Sequence, residues 1–269
     1  MTALLRNHVR VIGQGRQTLV FAHGFGCDQT VWRSMLPYFE NDYRIVLFDY
    51  VGSGRSDKAA YSPDRYSSLH GYAQDVKEIA EELKLEGAVF IGHSVSGMIG
   101  LLTAIEAPQL FERLVLIGPS PRYLNDPPGY YGGFDDRDIC ELLTMMEMNF
   151  VGWASMNAAA LMDNPDRPKL SDELKSTFCA EDPEIMKNFA QTTFLSDHRA
   201  DLPLVQVPSL IIQCSVDSIV PIEAARYLNG QLQDSVLQVI PSRGHYPHLS
   251  EPKATAELIL RYLNGELPA

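Results

Sequence analysis

Short apolar runs rich in β-branched residues alternate along this chain with helix-length amphipathic stretches, and that alternation restricts the fold more than any other feature. Residues 18–22 (TLVFA), 44–48 (RIVLF), 88–91 (AVFI), 114–117 (LVLI), 209–213 (SLIIQ) and 235–240 (SVLQVI) are mostly apolar, as strands covered on both faces must be. Between 68 and 84, Leu69, Tyr72, Ala73, Val76, Ile79, Ala80 and Leu83 recur at spacings of three and four, which lines one helix face with apolar groups and leaves acids and lysines opposite. Strands and helices in alternation predict a mostly parallel sheet with right-handed crossovers and helices on both faces. The segment His8 to Ile12 is expected to add an antiparallel edge strand.

One long stretch, from Pro119 to Val207, contains no convincing strand. Asp135, the run Pro168-Lys169-Leu170-Ser171 and the pair Asp182-Pro183 mark helix starts, so three or four helices are expected there. The chain is therefore divided into a first part of an α/β core (1–121), a helical lid inserted over the sheet's carboxyl edge (122–204) and a second part of the core (205–269). Six of the nine methionines (Met145, Met146, Met148, Met156, Met162, Met186) lie in the insertion with Phe134, Trp153, Phe189 and Phe194. Most of these side chains suit the insertion's own core. A helical cap over an open sheet also creates a cleft, and flexible thioethers suit a pocket that adapts its shape.

Gly92-His93-Ser94-Val95-Ser96-Gly97 joins the run AVFI to a helix-like segment. A tight strand-to-helix turn of this kind lifts a serine hydroxyl out of the backbone and needs small residues two positions before and after it. Gly92 meets that need fully, and Ser96 is small although it departs from the usual glycine. The alternative is a glycine-rich turn with an incidental serine. A serine hydroxyl is a weak nucleophile near neutral pH, so the turn needs a base and a group to orient the base. Asp217 follows the run 209–213, and His245 follows the run 235–240 inside Gly244-His245-Tyr246-Pro247-His248. The order Ser94, Asp217, His245 is the one expected of an α/β-hydrolase.

His248 competes with His245 as base, and Asp49 competes with Asp217 as orienting acid. Gly244 gives His245 the closer turn after its strand, and Gly52-Ser53-Gly54 suggests that Asp49 stabilises a turn instead. His23 and His93 flank glycines and are expected to brace loops. His23-Gly24-Phe25-Gly26 leaves the run TLVFA, so the backbone N–H groups of Phe25 and Val95 are candidate donors to a developing oxyanion. Aspartate at position 94 would imply alkyl-enzyme chemistry on halides or epoxides, whereas serine points to acyl transfer.

A net charge of −12, from 22 Lys+Arg against 34 Asp+Glu, lacks the basic footprint that nucleic acid or anionic lipid requires. Cys27, Cys140, Cys179 and Cys214 have no C-x-x-C spacing and imply neither a zinc site nor a disulfide framework, so no metal or cofactor is expected. No signal-like start and no apolar run near the roughly 20 residues of a membrane span are present, so a soluble cytoplasmic protein is expected.

Residues Ala22 to Trp32, Phe48 to Gly54, Gly92 to Ser96 and Ser120 to Asp126 closely resemble the RsbQ group of α/β-hydrolases. Gly-His-Ser-Val-Ser at 92–96 is also similar to the plant strigolactone and karrikin receptors. The resemblance covers nearly the whole chain. It implies that Ser94, Asp217 and His245 are a catalytic triad and that the insertion is a four-helix lid over a mainly apolar pocket, to which Phe134, Trp153, Asn157, Phe189 and Phe194 would contribute. It also implies a role in a general stress response with a partner phosphatase that carries a PAS domain. Asn157 stands where the family pattern has phenylalanine, which implies a pocket more polar or of different shape. Two functions follow as expectations: a serine hydrolase of a small, mostly apolar ester or lactone, and a sensor that uses the same pocket and reports to a protein partner.

Overall fold

The computed structural model describes residues 1–267, so the last two residues of the expected 205–269 segment lie outside the described residues. Numbered along the chain, the strands lie in the spatial order β1 (Arg10–Ile12), β3 (Arg44–Leu47), β2 (Thr18–Ala22), β4 (Ala88–His93), β5 (Phe111–Ile117), β6 (Ser209–Val216) and β7 (Ser235–Arg243). β1 runs antiparallel to β3 at one edge, and the remaining pairings are parallel. All six apolar runs are strands of this sheet, and the edge strand lies within the segment read as one.

β6 and β7 each run three residues past the apolar segment that marks them, to Val216 and Arg243. Those extra residues are mixed or polar, so hydropathy carries no sign of them, and backbone pairing of Val216 with Arg243 holds them in the sheet. The extension delivers Asp217 and His245 directly from the strand ends.

Alternation of side chains along the strands builds a core on each face. Leu19, Phe21, Val89, Ile91, Val115 and Ile117 enter one, against Ala256 and Ile259 of the C-terminal helix Pro252–Leu263. Val20, Ala22, Phe90, Leu114 and Leu116 enter the other, against Val76 and Ile79 of the helix Leu69–Glu82 and Ile99 and Leu102 of the helix Val95–Glu106. With Ala3–Arg6 as α1, these last two helices are α2 and α3. The stripe on α2 is buried as its periodicity predicts, except that Leu83 is half-buried. Asp75, on the same helix, is also buried, because Arg6 (3.0 Å), Arg65 (2.6 Å) and the Tyr66 hydroxyl (2.9 Å) surround its carboxylate.

Four helices lie between the neighbouring strands β5 and β6: α4 (Asp136–Met148), α5 (Phe150–Met162), α6 (Pro168–Ala180) and α7 (Pro183–Phe194). Their starts follow the local signals. Asp138 accepts the Asp135 N–H at 2.7 Å, Pro168 opens α6, and Asp182 accepts the N–H groups of Glu184 and Ile185. Met146, Trp153, Met162, Phe178 and Met186 belong to the same buried cluster as one face of the sheet, so these helices do not close a core of their own. Met145, Met148 and Met156 are exposed. The chain continues through α8 (Ile222–Gln231), α9 (Pro247–Ser250) and α10, the helix Pro252–Leu263. Among the described residues no helix is long and apolar enough to cross a membrane.

From β2 the chain steps outward to β3 and then crosses back to β4 on the other side of β2. The carboxyl ends of β2 and β4 thus border a reversal of strand order, where open α/β sheets leave a crevice.

Candidate active site

β4 passes directly into α3 through Ser94, whose backbone sits at φ 57° and ψ −122°. A side chain rarely adopts that conformation without enforcement by its surroundings. Here the Ser94 N–H donates to the Ile117 carbonyl of β5 at 2.8 Å. Gly92 faces the first turn of α3 so closely that an added Cβ would lie 2.6 Å from the Ser96 carbonyl oxygen. The Ser96 hydroxyl donates to the His23 carbonyl at 2.5 Å and lies 2.8 Å from the Tyr50 hydroxyl. Serine at this position therefore ties the elbow to the end of β2, a contact that glycine would lack.

His245 Nε2 lies 2.8 Å from Ser94 Oγ, and its Nδ1 lies 2.8 Å from Asp217 Oδ2. An ionised carboxylate only accepts hydrogen bonds, so Nδ1 carries the proton and the Nε2 lone pair faces the hydroxyl. Asp217 is held in turn by the N–H groups of Ile219 (2.9 Å) and Val220 (3.1 Å) on Oδ1 and by Gln213 Nε2 (3.0 Å) on Oδ2. The His245 and Asp217 side chains are 3% and 1% exposed. The main chain of His245 is clamped as well, its N–H donating to Leu161 at 2.7 Å and its carbonyl accepting from His93 Nε2 at 2.9 Å.

The competing residues lie elsewhere. His248 is buried between Trp32 and His93 with neither ring nitrogen bonded, and burial with the nearby His245 pushes its pKa down to about 3. It is a neutral packing residue without a carboxylate beside it. Asp49 accepts the N–H groups of Gln29 and Arg55, each at 2.9 Å, and so stabilises turns. His23 donates from Nδ1 to the Gly24 carbonyl and accepts the Tyr50 N–H on Nε2, while burial lowers its pKa.

The N–H of Val95 opens α3, where a helix leaves it without an intrahelical acceptor, and no acceptor among the described residues takes the N–H of Phe25. A small cavity of about 30 Å³ is lined by Phe25, Ser94, Trp153, Asn157, Phe194 and His245, and Val95 follows Ser94 at its edge. Two expected wall residues are displaced. Phe189 stacks on Tyr72 with ring centres 4.3 Å apart, behind Phe25, and Phe134 packs on the outer side against Phe194. No methionine lines the cavity among the described residues.

Tyr123 and Thr193 also reach the site, although neither is among the residues expected there from the sequence. The Tyr123 hydroxyl is buried 3.4 Å from Ser94 Oγ, and Thr193 reaches the cavity from α7. The first had a signal, since Tyr123 follows β5, the strand beside the elbow at the same sheet edge.

A family model described as the alpha/beta hydrolase fold matches residues 17–252. The chain belongs to this α/β-hydrolase family. It is 40% identical to a probable esterase of Oryza sativa subsp. japonica, with 97% of each chain covered. It is 38% identical to the karrikin insensitive 2 receptor CA of Petunia hybrida, again with 97% of each covered. The solved structure of a hydrolase from Oleispira antarctica is 39% identical, covers 97% of this chain and 96% of its own, and superposes with a TM-score of 0.95. In this α/β-hydrolase, then, the carboxyl ends of β2, β4, β6 and β7 bring a serine, a histidine, an aspartate and the N–H groups of Phe25 and Val95, unpaired among the described residues, to the edge of one small cavity.

Proposed function

We propose that this protein hydrolyses a small ester or lactone through a Ser94–His245–Asp217 triad. The observation that carries the reading is the unbroken chain of 2.8 Å contacts from Asp217 through His245 to Ser94 at the wall of the cavity. Ser94 Oγ attacks the carbonyl carbon while its proton passes to His245 Nε2, and Asp217 stabilises the imidazolium. The N–H groups of Phe25 and Val95 hold the oxyanion. His245 then protonates the departing alkoxide oxygen, or the ring oxygen of a lactone. Water attacks the acyl-enzyme, gives its proton to His245, and Ser94 leaves with that proton. The name of the esterase relative supports ester chemistry. The helical segment acts as a lid across 122–204 that limits the acyl group to a small one, in keeping with the cavity volume.

A second reading rests on the receptor among the relatives and on the resemblance to the RsbQ group. In it, slow hydrolysis of a small hydrophobic ligand in a cytoplasmic setting changes the lid, and the lid reports to a PAS-containing phosphatase in a stress response. A ligand shifts such an equilibrium only by its differential affinity for the two lid states.

Hydrolysis of p-nitrophenyl acetate by wild type and Ser94→Ala tests the first reading, with mass spectrometry of a Ser94 acyl adduct as the direct readout. Equal rates in the two proteins would sink it. Co-purification from the source cell with wild type and exposed-lid variants, scored with a stress reporter, tests the second. Full reporter output without any partner would leave an ordinary hydrolase.

A further inference from the structure

Threonines within helices commonly satisfy the hydroxyl by donating to the carbonyl four residues earlier. In this molecule Thr103 does so to Ile99 (2.8 Å), Thr144 to Cys140 (2.7 Å), Thr177 to Glu173 (3.1 Å) and Thr255 to Glu251 (2.9 Å). In α7, Thr192 donates instead to the Tyr66 carbonyl (3.0 Å), whereas Thr193 has no such bond. It is 1% exposed, its hydroxyl has no partner among the described residues, and it lines the cavity that holds Ser94. A buried hydroxyl without a partner is unfavourable, so such a group in a cavity wall marks a place where an occupant supplies the bond.

Asn157 of α5 lines the same cavity. Its Nδ2 donates to the Trp153 carbonyl at 2.9 Å, which fixes the direction of the amide and leaves Oδ1 without a donor among the described residues. The wall thus offers a hydroxyl with a proton to donate and an amide oxygen that only accepts. The smallest substituent that can accept from the first and donate to the second is a hydroxyl group. Other lining residues, including Phe25, Leu142, Leu161, Phe194 and Ile219, are apolar and would receive the carbon skeleton.

We propose that the substrate of this site carries a hydroxyl on its acyl portion, recognised by Thr193 and Asn157, so that the protein acts on esters or lactones of small hydroxy acids rather than on hydrocarbon acyl groups. The acyl portion is the relevant one because it stays on Ser94 inside the cavity after the alcohol leaves. This inference rests on the hydrolase reading, and it narrows the mostly apolar substrate expected from the resemblance. A site built around a hydroxyl discriminates strongly against an isostere that lacks it, since the wall groups are then buried unpaired.

The test compares p-nitrophenyl 3-hydroxybutanoate with p-nitrophenyl 3-methylbutanoate, in which a methyl replaces the hydroxyl. Wild type is expected to favour the hydroxy ester in kcat/KM by about tenfold or more, and Thr193→Val and Asn157→Leu each to cut that ratio by about tenfold. Thr193→Ser should restore it, which a purely structural effect of the valine would not allow. A second arm measures binding of the matching anilides to Ser94→Ala by calorimetry. The hydroxy anilide should bind about tenfold more tightly, and the added Thr193→Val should abolish the difference. Equal ratios in wild type and variants, equal anilide affinities, or no binding of either anilide would overturn the proposal. Absence of turnover together with a Thr193-dependent anilide preference would support the hydroxyl site and overturn the hydrolase reading instead.

Discussion

The side chains of His245 and Asp217 are bonded on every side, whereas the helices facing Ser94 leave polar and apolar groups without partners. His245 is held through both ring nitrogens, its N–H and its carbonyl, and Asp217 accepts from four groups. On α4, α5 and α7, by contrast, Trp153 Nε1 and Thr193 Oγ1 are buried unbonded, and Met148 and Val151 are 81% and 60% exposed. The difference follows from what each region has to do. Acyl transfer needs atoms fixed within a fraction of an ångström, which strand ends buried on both faces supply. Recognition needs groups whose bonding is completed by something else.

Removing the chemistry should have the largest effect. Ser94→Ala or His245→Ala is expected to lower ester turnover by up to on the order of a millionfold, while His248→Ala, which alters only packing, should cost far less. Steady-state rates on p-nitrophenyl acetate decide this, and the reverse order of the two histidines would make the edge of the sheet as adaptable as the helices.

Backbone geometry comes next. Gly244 has φ +85°, and an added Cβ would collide with the Met162 carbonyl, so Gly244→Ala should displace His245 and lower turnover by roughly a hundredfold. Gly230 in α8 has open space around it, and Gly230→Ala should instead raise stability by up to about 1 kcal/mol. Turnover and urea midpoints of the two variants measure how far tolerance to one methyl differs across the fold.

Glu181, between α6 and α7, accepts the Gly54 N–H at 3.0 Å, and burial, aided by Asp28 and Asp49, pushes its pKa up to about 7. Its carboxyl is therefore held protonated in the folded protein below about pH 7, against an ordinary value of 4.5. A raised folded pKa means that this contribution is fully present below pH 4.5 and is lost as pH rises through 7. Relative to Glu181→Gln, wild type should lose on the order of 2 kcal/mol between pH 4.5 and 8, read from denaturation midpoints across that range. Parallel curves for the two proteins would remove the idea that this junction is seated by a neutral carboxyl. The smallest effect belongs to the helical surface: Met148→Gln should change stability by no more than about 0.5 kcal/mol, because the side chain has little packing to lose.

Much of the site was legible because it follows from strand ends. Apolar runs of β-branched residues announce strands, and Ser94, Asp217 and His245 each follow the end of one, Ser94 and His245 beside a glycine turn. The cavity wall was less legible, since helical periodicity says which side chains are apolar but not which neighbour covers them. Phe189 and Trp153 look alike in sequence, yet Phe189 stacks on Tyr72 of α2 while Trp153 faces the cavity.

Local sequence alone determined the parallel sheet, its interruption by three or four helices and the chemistry available at the carboxyl edge. These depend on hydropathy, turn residues and capping within a few positions of one another. Tertiary structure decided that His245 and not His248 meets Ser94, that Ser96 ties the elbow to β2, that Asp75 is buried among arginines, and that Thr193 is left with an unbonded hydroxyl. Each of those outcomes depends on partners many tens of residues away, or on the lack of one. No local pattern carries that information, because the free energy of a buried polar group is set by what the whole fold places beside it.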